Sequence, residues 1–256
     1  MATLTLLTKI NNDYQLKQID KALKLAFEGL EVEAKILGIV ADRWVQIALA
    51  GEDEGIATSY VSKEIGLCPI NFGNVKRFST LNGYISNVEK NGEELSVDVG
   101  VFQPKSVLAT ISLRRLQAQL VDGRKIALGK IAELFGFCKD LPVSVKVTSL
   151  NEEESRMEAE LSTGEVERYQ VWRESLLDRL LVLGSPLHEI NMTLEHAKLD
   201  RDVIDVKPLG LLEHALTCKL GTDAAGLIPK IGRNLKNAKL AVFNPRRILE
   251  FLTNQN

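Results

Sequence analysis

Three glycines near the end of the chain have the residue type and spacing that could bind phosphate. Gly221, Gly226 and Gly232 lie in the segment LGTDAAGLIPKIG, and backbone amides near glycine can approach phosphate oxygens closely. A nucleotide-binding loop also needs a lysine and a hydroxyl residue after its second glycine, whereas Leu227 and Ile228 follow Gly226. We therefore interpret this segment as a turn rather than a phosphate site.

The histidines are the first candidates for metal ligands. The chain has three, His188, His196 and His214, and no two have the i, i+4 spacing that places two ligands on one helix face. If residues 190–194 form a strand, His188 and His196 lie roughly 26 Å apart, at about 3.3 Å per residue. We therefore expect no metal site.

The cysteines indicate the compartment. Cys68, Cys138 and Cys218 are odd in number and far apart in sequence, so they suit neither a disulfide framework nor a zinc knuckle. We expect buried thiols, a cytoplasmic location and no cofactor. The N-terminal apolar run is too short for a signal peptide or a membrane span, so we expect no membrane partner.

Motifs for a catalytic nucleophile are absent from the sequence, which contains no GxSxG elbow. Asp98, in VDVGV, could act as a general base, but a lone carboxylate beside apolar neighbours more often makes a local hydrogen bond. An enzyme is the least favoured hypothesis. It requires the fold to bring Asp98, His214 or the Gly221 turn together in one pocket.

Charge is distributed unevenly along a chain whose formal net charge is −2. Residues 151–205 contain 14 acidic and 6 basic residues, whereas residues 218–256 contain 7 basic and 2 acidic residues. Local positive charge attracts phosphate backbones. The nucleic-acid-binding residues predicted in the basic region are Lys230, Arg233, Lys236, Lys239, Arg246 and Arg247.

Residues 1–70 have the element order βαββα, which resembles part of a ferredoxin-like α+β domain. A strand at residues 3–10 precedes a helix capped by Asn12 or Asp13, whose apolar residues recur every three or four positions. Two strands then form an antiparallel pair that turns at residues 41–43, and a second helix covers residues 56–65.

Residues 74–165 predict a five-stranded barrel. Its first two strands are a hairpin at residues 81–102 that turns at Asn91-Gly92, with Gly92 at positive φ. Helical material then separates the third predicted strand from the fourth, which is the element order of an OB-type barrel. The remaining predicted elements are strands at residues 106–111, 143–150 and 155–161 and helices at residues 112–121 and 126–137.

Residues 167–256 predict a small C-terminal α+β domain. A helix covers residues 167–183, residues 190–194 alternate as in a strand, and a last helix follows Pro245. The predicted fold class is therefore α+β with several domains.

Two segments, GYISNVEKNGEELSVDVGV and VSVKVTSLNEEESRMEAELS, resemble the opening and closing strands of an S1-like RNA-binding barrel. In that family aromatic side chains on the strands stack on bases, which implies that Tyr84 and Phe102 contact RNA. With VSKEIGLCPINFGNVKRF and LGTDAAGLIPKIG, the hairpin also resembles an uncharacterised archaeal protein family. That resemblance implies an archaeal cytoplasmic setting and supplies no catalytic residues.

The leading functional hypothesis is a non-catalytic RNA-binding or ribonucleoprotein-associated factor. Its barrel groove and basic C-terminal segment would both follow a phosphate backbone. The alternative is a protein-interaction scaffold whose acidic middle region binds a basic protein partner. The aromatic content of 5% weakens the first hypothesis, because single-strand binding usually relies on stacking platforms.

Overall fold

A computed structural model describes residues 1–253 as an α+β protein with two compact units. The first unit comprises residues 1–74 and 100–106. The second unit comprises residues 75–99 and 107–253. The predicted α+β class with several domains is confirmed.

The first unit is built on a three-stranded antiparallel sheet. Its elements are β1 (Ala2–Lys9), α1 (Asp13–Ala26), β2 (Val32–Val40), β3 (Trp44–Gly51), α2 (Glu54–Tyr60) and β4 (Ile70–Asn71). One turn of π-helix at Val61–Ile65 extends α2. The strand order is β1-β3-β2, so β3 is central and pairs with both neighbours in antiparallel register.

Side-chain periodicity accounts for α1 and its attachment to the sheet. Ile19, Leu23 and Phe27 keep the three-and-four spacing and are buried. The helix is capped by Asn12, whose Oδ1 accepts a hydrogen bond from the backbone N–H of Gln15 at 2.9 Å. The predicted cap, helix and following β2–β3 pair are confirmed.

The second unit begins with a closed five-stranded barrel, of which only residues 100–103, at the end of the second strand, are grouped with the first unit. Its elements are β5 (Thr80–Asn87), β6 (Glu94–Gln103), β7 (Val107–Ser112), α3 (Leu113–Leu120), α4 (Leu128–Phe135), β8 (Pro142–Asn151) and β9 (Arg156–Leu161). The pairing order of the sheet is β4-β6-β5-β8-β9-β7, in which the short strand β4 adds to β6 in parallel, and a further pairing of β6 with β7 closes the barrel. The pair β7–β9 is parallel. The predicted five strands, with two helices after the third, are confirmed.

The β5–β6 hairpin is confirmed, but its turn differs from the prediction. The connection covers residues 88–93, and the backbone N–H of Gly92 donates to the carbonyl of Glu89 at 2.9 Å. Gly92 does not adopt a positive φ. The longer connection removes the need for the two-residue turn in which both central residues have positive φ.

The remainder of the second unit is a four-stranded antiparallel sheet with helices. Its elements are α5 (Thr163–Glu174), β10 (Arg179–Leu183), α6 (Leu187–His196), β11 (Val203–Pro208), β12 (Glu213–Cys218), α7 (Ala224–Gly232), β13 (Lys239–Phe243) and α8 (Pro245–Thr253). The strand order is β11-β12-β10-β13. Apolar side chains of α6 and α7 pack with those of β10 and β12 in one buried cluster.

Two predictions for this region are wrong. The helix predicted at residues 167–183 ends at Glu174, and its last five residues form β10. All residues of β10 are buried, and a strand covered on both faces lacks the alternation that identifies a half-exposed strand. Residues 190–194 belong to α6, where Ile190 and Leu194 are buried and Met192 is 52% exposed.

An aromatic cluster joins the barrel helices to the C-terminal sheet. Phe135 of α4, Tyr169 and Trp172 of α5 and Phe243 of β13 are buried, with ring centroids between 5.3 and 6.3 Å apart. Aromatic pairs of this kind add about 0.5–1.5 kcal/mol each beyond the burial of their area. The cluster explains why the barrel and the C-terminal sheet form a single compact unit.

The end of β6 belongs to the first unit, where it packs beside the segment that follows α2. Gly100 has a φ of +79°, and a Cβ there would lie 2.5 Å from Sγ of Cys68. Cys68 is buried, and its thiol donates a hydrogen bond to the carbonyl of Leu6 at 3.3 Å. Only glycine fits this close approach at this backbone conformation.

We predict that Gly100→Ala destabilises the protein by about 2 kcal/mol or more, because it adds both a left-handed backbone penalty and a steric clash. Gly73→Ala is the matched control in the same unit, since a Cβ at Gly73 would have no neighbouring atom within 4 Å. Denaturant unfolding measures both variants. Equal free energies of unfolding for the two variants would contradict the predicted contact with Cys68.

Candidate functional site

The predicted cations of the C-terminal region are all exposed on the second unit. They lie in three places: α7 and the connection after it, the start of β13, and the first turn of α8. Buried apolar residues in these segments, such as Ile231, Leu235 and Ile248, hold the backbone against the core. The cations therefore point to solvent from anchored segments. They are Lys230, Arg233, Lys236, Lys239, Arg246 and Arg247.

Lys239 differs from the other five cations because it has a buried partner. Its Nζ lies 2.5 Å from Oδ2 of Asp140, whose side chain is 7% exposed. None of the other five forms an ion pair with an acidic side chain of residues 1–253. Five of the six predicted cations therefore form no salt bridge within the described residues, whereas Lys239 is held by its ion pair with Asp140.

A cavity of about 140 Å³ lies where Gly221, at a φ of +92°, turns the chain into α7. Two carboxylates accept hydrogen bonds from the first amides of this helix. Asp178 accepts from the N–H of Ala224 at 3.2 Å, and Asp223 accepts from the N–H of Ala225 at 3.0 Å. These carboxylates take the positions that a phosphate would need, which supports the turn interpretation of this segment.

The carboxyl group of Asp178 at this cavity interacts electrostatically with the basic region. Burial raises the pKa of Asp178, and the carboxylate of Asp223 raises it further. The amide of Ala224, Arg246 and Arg247 lower it, but they do not reverse the effect of burial. The two arginines therefore partly compensate an internal carboxylate at one edge of the basic region.

Tyr84, one of the two residues predicted to stack on bases, is buried. Tyr84 is 3% exposed, and its hydroxyl donates to Oε2 of Glu213 at 3.1 Å. A buried ring has no free face for a base, so the structure contradicts the predicted RNA contact of Tyr84. Phe102 is half-buried near the end of β6, in the first unit, whereas Tyr84 belongs to the second.

Glu213 is a carboxyl group that the sequence analysis did not single out. It is buried on β12, and burial raises its pKa to about 8 although Tyr84 and the amide of Leu212 donate hydrogen bonds to it. The nearby carboxylate of Asp140 raises the pKa further. The one available signal was a glutamate in the mostly apolar strand EHALTC, and its partner is 129 residues away.

The residues considered for catalysis lie in different settings. Asp98 is buried on β6, and His214 is buried on β12, where desolvation lowers the pKa of the imidazole to about 4. Neither residue lines the cavity at Gly221. Within residues 1–253, no group of three His, Cys, Asp or Glu side chains is placed to hold a metal ion.

One end of the barrel is acidic. A cavity of about 340 Å³ beside the β5–β6 connection is lined by Glu89, Glu93 and Glu94, together with a glycine and two neutral polar residues. The β8–β9 turn adds Glu152, Glu153 and Glu154. An ion pair of 3.1 Å between Arg156 of β9 and Glu94 of β6 joins the strands that leave these two connections, so both connections lie at the same end of the barrel.

Comparison with models of protein families shows which family the chain belongs to. Residues 75–173 match the model of the DUF2110 central domain, and residues 177–243 match the model of the DUF2110 C-terminal domain. The two matches together cover more than half of the sequence, and the chain belongs to this uncharacterised family. Membership of an uncharacterised family was predicted and is confirmed.

A search of curated proteins found no match to the chain. Among the helices of residues 1–253, none is both long enough and apolar enough to cross a membrane.

We predict a pH dependence of stability that comes from Glu213. Its folded pKa of about 8 lies above its ordinary value of 4.5, so the stabilisation from the protonated form is lost as the pH rises toward 8. His214 has the opposite effect, because its folded pKa of about 4 lies below its ordinary value of 6.5, so stability rises with pH up to about 6.5 and no further. Between pH 6.5 and pH 8, only the effect of Glu213 remains, and the free energy of unfolding should fall by roughly 1–2 kcal/mol.

The measurement is denaturant unfolding at several pH values in that window. Glu213→Gln should abolish most of the decrease, because an amide cannot ionise but can still accept a hydrogen bond from Tyr84. Glu195→Gln, which changes an exposed carboxyl of the same sheet domain, should keep the wild-type slope. A Glu213→Gln variant with the wild-type slope would contradict the raised pKa.

Proposed function

We propose that this protein is a non-catalytic RNA-binding or ribonucleoprotein-associated factor of the archaeal cytoplasm. The observation that carries the proposal is the set of exposed cations on residues 230–247, five of which form no salt bridge with an acidic side chain of residues 1–253. Exposed Lys and Arg side chains on anchored segments neutralise phosphates and release counterions. Such contacts contribute affinity but little sequence specificity, because contacts to phosphates do not distinguish between bases.

We further propose that the barrel is of the OB type and related to S1-like barrels. Its support is the combination of five strands, closure between β6 and β7, and helices between the third and fourth strands. For the first unit we propose a ferredoxin-like arrangement. Its support is the antiparallel order β1-β3-β2 and the bridge between Leu67 and Leu6, which places the chain after α2 beside β1.

The loops of the barrel are not part of the proposed RNA contact. In OB-type barrels the connections after the first and fourth strands border the binding groove. Here those connections and the first residue of β6 carry six glutamates, within residues 88–94 and 152–154, and their carboxylates would repel phosphates. The phosphate backbone would therefore follow the C-terminal cations and avoid this end of the barrel.

We predict that binding to mixed-sequence RNA weakens steeply with salt. Alanine at Arg233, Lys236, Arg246 and Arg247 should lower the log–log salt slope by roughly 2–3, at about 0.7 per phosphate contact with a single strand. Lys239→Ala should change the slope much less, because Lys239 already pairs with Asp140. Fluorescence anisotropy at several salt concentrations gives these slopes.

The control for this titration removes four exposed cations from elsewhere in the chain. Alanine at Lys63, Lys76, Lys105 and Arg114 causes the same loss of total charge and should leave most of the wild-type slope. If both four-fold variants lower the slope equally, the contact is a general charge effect. Binding that does not respond to salt would reject the proposed phosphate contact.

A second candidate function is a protein-interaction scaffold, and the acidic end of the barrel favours it. The cavity beside Glu89, Glu93 and Glu94 offers carboxylates to a basic segment of another protein.

We predict that a Lys- and Arg-rich peptide binds this protein at low salt, and that the double variant Glu89→Gln/Glu93→Gln binds the peptide about threefold or more weakly. Glu28→Gln with Glu64→Gln, exposed acids of the first unit, should have no such effect. Equal weakening in both pairs would argue against this site.

A further inference from the structure

The free edge of the N-terminal sheet is the strand β2. It pairs with β3 on one side, and no strand of residues 1–253 pairs with its other side. A cleft of about 620 Å³ lies along this edge, between α1 and the first part of the strand. An unpaired strand edge presents backbone N–H and C=O groups that can pair with another strand.

The cleft is lined by one short section of the strand, residues 32–36. Beyond Ile36 the register to β3 shifts before Gly38, and such irregularities limit further edge pairing. The regular part of the edge is therefore the same five residues that line the cleft. Its sequence is Val32, Glu33, Ala34, Lys35 and Ile36.

The charges in this section are self-complementary. In an antiparallel pair of two identical strands centred on Ala34, Glu33 of each copy faces Lys35 of the other. The same register places Val32 opposite Ile36 on the half-buried face. Centring the pair on Glu33 or on Lys35 instead would place two like charges directly opposite each other, which is destabilising. A two-fold axis at Ala34 therefore creates two pairs of opposite charge, each between Glu33 of one copy and Lys35 of the other.

We propose that β2 is a homodimerisation edge, at which a second copy of this chain pairs antiparallel through residues 32–36 with its two-fold axis at Ala34. The pairing would join two three-stranded sheets into one six-stranded sheet, with α1 of both copies on the same face. Such an isologous contact uses one surface patch twice, as closed dimers do. The proposal does not depend on the proposed RNA contact.

Sedimentation velocity over a wide concentration range tests this proposal. The wild type should approach twice its mass of 28.4 kDa as concentration rises. Glu33→Lys and Lys35→Glu should each weaken self-association at least about tenfold, because each creates two like-charge pairs across the axis. The combined variant Glu33→Lys/Lys35→Glu should self-associate within about threefold of the wild type.

Mixing the two single variants gives a register-specific result. In an equimolar mixture every cross-strand pair again has opposite charges, so a heterodimer should form where neither variant alone forms a dimer. Lys63→Glu and Glu64→Lys are the controls, since both residues are exposed on the same unit outside the strand. They should leave the association unchanged.

Three results would overturn the proposal. One is a wild type that stays monomeric at all concentrations, which would leave the edge to a strand from another protein. Another is a dimer that Glu33→Lys and Lys35→Glu do not weaken. The third is a mixture of the single variants that remains monomeric while the combined variant also fails to associate. Thermal melts confirm that each variant is folded, and the mixing result requires both single variants to be intact.

Discussion

Packing of aromatic side chains between the barrel helices and the C-terminal sheet is the contact on which the second unit depends. Tyr169 and Trp172 of α5 meet Phe135 of α4 and Phe243 of β13, and all four are buried. The helix α5 follows the last barrel strand directly, so the cluster continues the barrel into the sheet. The two family domains therefore share one core, although each has its own strands.

Polar groups buried in the same unit are compatible with this packing because most of their charge is removed or paired. Glu213 is held in its neutral form by burial, and it accepts hydrogen bonds from Tyr84 and Leu212. Asp140 instead keeps a partner, the ammonium group of Lys239. A buried carboxyl is tolerated when it is protonated or paired with a cation. These two contacts explain why one predicted aromatic residue and one predicted cation serve the fold.

Surface charge divides the second unit into two regions with different binding chemistry. The cations of α7, its following connection and α8 face solvent, whereas the connections at one end of the barrel carry glutamates. A phosphate backbone would be attracted to the first region and repelled by the second. The barrel fold alone therefore does not indicate RNA binding, because the same barrel can present either charge around its groove.

The sequence by itself determined the elements whose signals are local. The cap and apolar spacing of α1, the β2–β3 and β5–β6 hairpins, and the barrel order with its two helices could be read from periods of 2 and 3.6 residues. The uneven charge along the chain also follows directly from composition. The sequence could not assign β10, because a strand buried on both faces has no alternating pattern of apolar and polar residues. Only the tertiary structure decided that Tyr84 bonds to Glu213 and Lys239 to Asp140, since these partners are 129 and 99 residues apart. Such pairs depend on how distant segments pack, and no local pattern in the sequence records that packing.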